Sequence, residues 1–249
     1  MTVPKTANPA PIPILTYHQI AEAPPRGAPY RSLYVAPEDF ARQMALLALL
    51  GYRGLSMGDL QPYLRGEQQG KVVGITFDDG YVNNLTHALP VLQRYGFTST
   101  CYAVSQLLGK TNAWDISVGI AQVPLMTPAQ LRQWVAGGQQ VGAHTRNHVH
   151  LPQLSAEQCA EEIVLGRQEL EASAASSVAD FCYPYGDFNA ETVSAVGNAR
   201  FASATTTRRG RCQAGESMLE LPRVPVLRST TRLVFWLKIA SRYEDRRRV

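Results

Sequence analysis

The chain has 249 residues, of which 45% are hydrophobic and 18% charged, a composition typical of a globular protein whose core needs no disulfide staples. The formal net charge is +4, and no basic stripe is interleaved with aromatic residues, which argues against a nucleic-acid partner. The N-terminal segment holds no apolar run of secretory length and no stretch approaches the ~20 apolar residues of a membrane span, so we expect a cytoplasmic protein.

Signals for strands and helices alternate along the whole chain. After a flexible Pro-rich lead over 1–11, the sequence predicts a strand at 12–17, a loop at 21–34, a helix opening at Pro37, a strand at 71–77, a helix at 84–95 and a strand at 97–104. Further along it predicts a helix capped by Thr127, a strand at 141–143, a helix from Ser155 to about 172, a strand at 179–183, a helix capped by Asn189, and strands at 200–204 and 221–227. This alternation predicts one α/β domain over 1–249 with a mostly parallel sheet, open or closed into a barrel, and a basic tail at 241–249.

Polar residues at the carboxyl ends of parallel strands are the usual place for chemistry in such folds. That criterion selects His18, the pair Asp78-Asp79, His144 and the turn at 184–187. Asp78 and Asp79 repel each other unless one binds a cation and the other accepts a proton or hydrogen bonds. A solvated Asp-Asp-Gly turn is the alternative interpretation.

Three of the five histidines fall within seven residues, at His144, His148 and His150. Two histidines at i and i+4 reach one side of a helical turn, and neutral imidazole suits a divalent transition metal. Solvated histidines are the alternative, which the position of the cluster after a strand makes weaker. With a carboxylate, His144 and His148 would leave one metal position open, the mark of a catalytic site. We interpret His150 as a supporting or structural residue.

The segment FCYPYGD (181–187) predicts a rigid turn at the end of a strand. Pro184 and Tyr185 could form a wall on which a sugar stacks, and the turn could aim a backbone N–H into the site. An ordinary turn is the alternative.

In this order, TFDDG (76–80), HTRNH (144–148) and FCYPYG (181–186) resemble the polysaccharide deacetylases of carbohydrate esterase family 4, the NodB-homology group. The resemblance extends over nearly the whole chain. It implies a distorted (β/α) barrel with fewer than eight parallel strands, a bound Zn²⁺ or a similar ion such as Co²⁺ or Ni²⁺, and removal of N-acetyl groups from an amino-sugar polysaccharide or a lipid-linked oligosaccharide. Carried over residue by residue, it makes Asp79, His144 and His148 metal ligands and Asp78 the general base, and it gives the backbone N–H of Tyr185 to the oxyanion site.

Two departures from the family pattern are informative. Cys182 stands where the family has an Arg, and no histidine follows His150 to supply the late catalytic motif. The N-terminal segment LTYHQI is similar to a branch with that motif at the front, as in poly-N-acetylglucosamine deacetylases, and it makes His18 the general acid. An imidazolium near the leaving nitrogen is a good proton donor. We also expect Arg223, on the predicted last strand, to pair with Asp78 in place of the missing Arg, the alternative being a surface Arg at a strand end.

Three other functions remain open at this point. Two histidines and one carboxylate also describe the facial triad of Fe(II) oxygenases, an interpretation that leaves Asp78 and His18 without a role. An inactive glycan-binding relative, or a hydrolase of another non-peptide C–N bond, would share the scaffold.

The sequence does not name the glycan. The loops at 21–34 and 109–126 are expected to shape the substrate groove, and in the second loop Trp114 and Asp115 are candidate sugar contacts. A lone tryptophan is more often a packing residue. The apolar segment at 233–239, followed by Arg246 to Arg248, predicts either a packed terminal helix or a weak contact with a membrane surface.

Overall fold

Seven parallel strands close into a barrel in the computed structural model, which describes residues 10–248. The described residues contain ten strands: β1 (Ile14–Tyr17), β2 (Gln19–Ile20), β3 (Tyr34–Val35), β4 (Arg53–Leu55), β5 (Val72–Phe77), β6 (Thr100–Ala103), β7 (Gln140–Ala143), β8 (Asp180–Cys182), β9 (Ser203–Arg209) and β10 (Leu221–Pro225). The seven barrel strands neighbour one another in the order β1-β10-β9-β8-β7-β6-β5, and β5 pairs back with β1, whereas β2 and β3 pair with each other as a separate sheet. The expected distorted α/β barrel with fewer than eight strands is confirmed, with β4 as an extra strand on the first half of β5.

Helices connect the strands. They are α1 (Pro37–Leu49), α2 (Met57–Leu64), α3 (Leu89–Tyr95), α4 (Pro128–Ala136), α5 (Ala156–Ala174), α6 (Ala190–Asn198) and α7 (Arg232–Ala240). The capping boxes predicted at Thr127 and Ser155 are both formed, and Asn189 caps α6 in the same way. None of the helices within residues 10–248 is long and apolar enough to cross a membrane.

Several predicted boundaries were wrong. The strand expected at 200–204 begins at Ser203 and continues to Arg209, because Arg200 turns with a φ of 59° after α6. The helix expected at 84–95 starts as a π-helical turn over Asn84–Ala88. The strand expected at 97–104 shortens to Thr100–Ala103, and the one expected at 221–227 ends at Pro225.

The sequence analysis missed β4 and α2, the first because it is only three residues long and the second because it contains Pro62. Side chains at the first residues of β6, β7 and β8 reach α2 or its flank, so α2 covers the amino-terminal end of the barrel. The opposite end, where the strands finish, is left for the site.

The C-terminal segment is docked on the barrel over its described part. Phe235 and Ile239 of α7 are buried, whereas Leu233 and Trp236 are exposed. In the predicted basic tail, Glu244 is fully buried and binds Arg209 and Lys238. Most of the predicted flexible lead (residues 1–9) and Val249 lie outside the described residues.

Candidate active site

The four points selected from the sequence meet in one cavity at the carboxyl end of the barrel. His18 follows β1, Asp78 and Asp79 follow β5, His144 directly follows β7, and Tyr185 lies in the turn after β8. All of them line a cavity of about 340 Å³. Because parallel strands all finish on the same side of a barrel, residues far apart in sequence are delivered to one place.

The three predicted metal ligands lie at a spacing that suits a tetrahedral ion. Asp79 Oδ1 lies 3.6 Å from His144 Nε2 and 3.4 Å from His148 Nε2, and the three side chains are buried. These distances are long for hydrogen bonds. Ligand atoms about 2.0–2.2 Å from a tetrahedral ion lie roughly 3.3–3.6 Å from one another, so the observed set fits Zn²⁺ or a similar cation.

The surroundings of His144 fix which nitrogen can bind a metal. Its Nδ1 donates to the carbonyl of Cys182 at 2.7 Å, so Nε2, which is directed toward Asp79, is the nitrogen available to a metal in the neutral imidazole. Burial lowers the pKa of His148, which keeps that imidazole neutral as a ligand must be. Burial alone would raise the pKa of Asp79, but the neighbouring histidines, His148 above all, hold it well below its usual range.

The two ligand histidines do not lie on a helical turn, contrary to the expectation from their i, i+4 spacing. Residues 144–148 form a loop after β7 in which Thr145 and His148 adopt left-handed conformations, with φ of 65° and 56°. Asp79 has a φ of 74° as well. Such conformations are rare for residues with a side chain and occur at sites where the surrounding structure holds them in place.

Asp78 is held by a buried arginine from β10, which is separated from β5 only by β1. Arg223 on β10 donates from Nη1 to Asp78 Oδ1 and from Nη2 to Asp78 Oδ2, both at 2.7 Å. Burial would raise the pKa of Asp78, but the guanidinium lowers it below its usual value, so the carboxylate is ionised. The structure thus brings Arg223 to the place that the sequence analysis gave it.

Arg223 itself is fixed by neutral acceptors. Its Nε donates to the carbonyl of Thr206 at 2.9 Å and its Nη1 to Thr76 Oγ1 at 3.1 Å. Its Nη2 lies 3.2 Å from Cys182 Sγ, so the residue that replaces the family's Arg contacts the Arg that comes from β10. A small side chain at position 182 leaves room for the guanidinium.

His18 stands beside Asp78 at the end of β1. Its Nε2 lies 3.9 Å from Asp78 Oδ2, and its side chain is 25% exposed to the cavity. Asn84 Nδ2 donates to the carbonyl of His18 at 2.9 Å and so ties the end of β1 to the turn after the Asp pair. Sequence reasoning missed Asn84, whose only signal was its place in the segment after TFDDG.

Aromatic rings surround His148. Trp114 stacks on its imidazole with centroids 4.2 Å apart, and Tyr185 meets it edge-on at 4.5 Å. Trp114 therefore packs on His148, a predicted metal ligand, as well as lining the cavity. His150 is not near the ligand atoms: it stacks on Tyr185 at 3.9 Å, and its Nδ1 lies 3.0 Å from Asp187 Oδ2.

The turn after β8 presents Tyr185 to the cavity, but Pro184 is buried and does not line it, so the prediction of Pro184 as a sugar contact is wrong. Tyr185 has a φ of 60° and a half-exposed ring. The N–H groups of Gly186 and Asp187 donate inside the turn, whereas that of Tyr185 has no protein acceptor among residues 10–248. Burial raises the pKa of the Tyr185 hydroxyl to about 12, which keeps it protonated.

Asp115 brings a third carboxylate to the cavity wall. Asn112 Nδ2 donates to its Oδ2 at 2.9 Å, and burial raises its pKa. Asp78 is compensated by Arg223, and Asp79 faces two histidines. No arginine or lysine is among the residues that line the cavity beside Asp115.

Comparison with known proteins agrees with this geometry. The family model described as polysaccharide deacetylase matches residues 65–204, more than half of the chain. The chain belongs to the polysaccharide deacetylase family. The matched range contains the Asp pair, both ligand histidines and the turn at 184–186, whereas His18 and Arg223 lie outside it. Membership of a deacetylase family argues against the oxygenase interpretation of the two histidines and one carboxylate.

Relatives of this polysaccharide deacetylase match it over most of its length. YxkH of Bacillus subtilis (strain 168), named for the polysaccharide deacetylases, is 28% identical over 224 residues, which cover 89% of this chain and 74% of YxkH. The Streptococcus pyogenes deacetylase PplD, solved in complex with acetate, is 25% identical with a TM-score of 0.81, over 93% of this chain and 99% of PplD. IcaB from Ammonifex degensii is 23% identical, a likeness that shows the fold, with a TM-score of 0.78 over 92% of this chain and 97% of IcaB.

Proposed function

We propose that this polysaccharide deacetylase is metal-dependent and removes N-acetyl groups from an amino-sugar glycan. The observation that carries the proposal is the spacing of Asp79, His144 and His148, whose ligand atoms lie within 4.8 Å of one another at the base of the cavity. Zn²⁺ is the ion that best suits one carboxylate oxygen and two imidazole nitrogens in tetrahedral geometry, and Co²⁺ or Ni²⁺ could replace it.

A divalent ion in this position supplies a Lewis acid, which polarises the acetyl carbonyl and acidifies water. Asp78 accepts the proton of the attacking water, because its carboxylate is ionised and adjoins the ligand set. The paired hydrogen bonds from Arg223 fix the orientation of that carboxylate, so Arg223 acts as a positioning residue. The N–H of Tyr185, which has no protein acceptor among residues 10–248, would donate to the developing oxyanion.

Cleavage of an amide also needs a proton on the leaving nitrogen. Three histidines line the cavity, and His18 is the one that does not belong to the proposed set of metal ligands. Its Nε2 is 3.9 Å from Asp78 Oδ2, so the proposed acid and the proposed base lie next to each other. We therefore assign His18 as the general acid, which would protonate the amine as the C–N bond breaks.

The substrate sugar is held, on this proposal, by the aromatic and acidic wall of the cavity. Tyr185 forms one side with its ring partly exposed, and Trp114 and Asp115 form another. The Asp115 carboxylate would accept hydrogen bonds from sugar hydroxyls.

Acetate release and metal content test the proposal together. His144→Ala should lose the metal and the activity. Asp78→Asn should keep the metal and lose about 10²–10⁴-fold in kcat, the usual contribution of a general base. Asp187→Asn, which alters only the partner of His150, is the control. Acetate release by a metal-free His144→Ala protein at the wild-type rate would show that the scheme is wrong, and a panel of N- and O-acetylated glycans would identify the bond cleaved.

A further inference from the structure

The loop that carries both ligand histidines, residues 144–148, has no regular structure to hold it. Two of its five residues, Thr145 and His148, are in left-handed conformations that residues with side chains rarely adopt. The hydroxyl of Thr145 accepts from the N–H of His148 at 3.0 Å, which closes the loop on itself. A loop of this kind keeps its shape only when contacts from outside determine it.

One carboxylate, on the neighbouring helix α5, provides three of these outside contacts. Glu162 Oε2 accepts from the backbone N–H of Arg146 at 2.9 Å and from that of Asn147 at 3.0 Å. Its Oε1 accepts from Asn147 Nδ2 at 2.6 Å. Two consecutive backbone amides between the ligand histidines therefore bind to the same side chain, through hydrogen bonds to an ionised acceptor, which are stronger than neutral ones.

The helix lies against the loop so closely that the approach depends on a glycine. A Cβ at Gly166, one turn after Glu162, would lie 3.2 Å from the carbonyl carbon of Thr145 and 3.3 Å from the N of Arg146. On the other side of the loop, the carbonyls of Thr145 and Arg146 accept from the backbone N–H groups of Ser105 and Gln106. The donors of the loop are thus satisfied by Glu162 and its acceptors by the turn after β6.

We infer that Glu162 is a positioning residue for the metal centre: it holds the 144–148 loop in the left-handed turn that aims His144 and His148 at Asp79. This inference rests on the proposed metal dependence. Residues that orient metal ligands from outside the coordination sphere typically contribute 10–100-fold to metal affinity or activity.

The neighbouring acid supplies a matched control. Glu161 pairs with the side chain of Arg146 and does not bind the backbone of the loop, and it is more exposed than Glu162. We would prepare Glu162→Ala, Glu162→Gln and Glu161→Ala as the full chain. A competing chelator gives the affinity of each for Zn²⁺, the visible absorption of the Co²⁺ form reports ligand geometry, and urea unfolding of the metal-free protein gives stability.

We expect Glu162→Ala to bind Zn²⁺ about 10–100-fold more weakly than wild type and to alter the Co²⁺ spectrum, with Glu161→Ala unchanged in both. Glu162→Gln should fall between them, because its carbonyl oxygen can still accept the two backbone amides. If Glu162→Ala does not fold, Glu162→Gln decides alone: weaker binding supports the inference and wild-type binding overturns it. Wild-type affinity and spectrum in a folded Glu162→Ala would also overturn it, whereas a wild-type protein that binds no metal would overturn the proposed function instead.

Discussion

Replacement of Arg223 by methionine should remove the hydrogen bonds that orient the carboxylate of Asp78, the proposed base. The change keeps most of the buried volume but leaves the Asp78 carboxylate without its two 2.7 Å hydrogen bonds, on a side chain only 3% exposed. Breaking a buried ion pair by removing one partner costs about 3–5 kcal/mol. We expect the free energy of unfolding at neutral pH to fall by about that amount.

The pH dependence has a definite sign. In the wild type, Arg223 lowers the folded-state pKa of Asp78 below its unfolded value. The stability that the pair contributes is therefore present above the unfolded pKa and is lost as pH falls through the folded pKa. In Arg223→Met, the strongest influence that lowers the pKa of Asp78 is removed, so that pKa should rise and the variant's deficit in stability should shrink as the pH is lowered. The acid limb of its pH–rate profile should move to higher pH, since the base must be ionised to act.

Urea unfolding between pH 4 and 8 and acetate release over the same range would measure both effects. Arg223→Lys keeps a charge but cannot form the bidentate contact, so it should recover part of the stability and little of the rate. Arg211→Met breaks a second buried pair, with Asp245, away from the cavity, and should lower stability while leaving the pH–rate profile unchanged. An Arg223→Met protein with wild-type kcat and an unmoved acid limb would refute the reasoning.

His18→Ala should fold, keep its metal and lose about 10²–10⁴-fold in kcat, whereas His150→Ala should keep the wild-type kcat. If acetate-release assays show the loss in His150→Ala and not in His18→Ala, His150 is the general acid. Glu244→Gln should lower the free energy of unfolding by about 1–3 kcal/mol at neutral pH. Burial would raise the pKa of Glu244, but Arg209 lowers it. The difference in unfolding free energy between wild type and Glu244→Gln should therefore become smaller as the pH falls, which chemical denaturation at two pH values would show. Flotation with anionic vesicles at low salt tests the exposed Trp236: binding lost in Trp236→Ser supports membrane contact, and no binding leaves α7 a packing role.

Some parts of the site could be predicted from the sequence because the residues themselves carry the chemistry. The Asp78-Asp79 pair after an apolar strand and the His144–His148 spacing need no coordinates to suggest a metal, and parallel strands deliver them to one end of the barrel. Arg223 could be expected because an ionised base needs a cation and the family's usual Arg is absent. The roles of these residues remain predictions.

Other parts depend on packing that a single sequence does not display. The i, i+4 spacing of the histidines suggested a helical turn, but the loop takes its shape from Glu162, eighteen residues after His144. Nothing in the spacing of Asn84 or Glu162 marks either as a support of the site. The short strand β4 and the proline-containing α2 gave too little periodic pattern to detect, although α2 covers one end of the barrel.

The closure of β1 against both β10 and β5 gives the strands a cyclic order that has no first member. A residue at the carboxyl end of β1 lies as close to the carboxyl end of β10 as a residue that follows β10 in the chain would lie. His18 can therefore occupy the position that a histidine after the last strand would occupy. The arrangement of the proposed catalytic residues around the barrel does not depend on which strand comes first in the chain. A circularly permuted gene that opens at β4 or β6 should encode the same cavity, with only the order of its motifs changed.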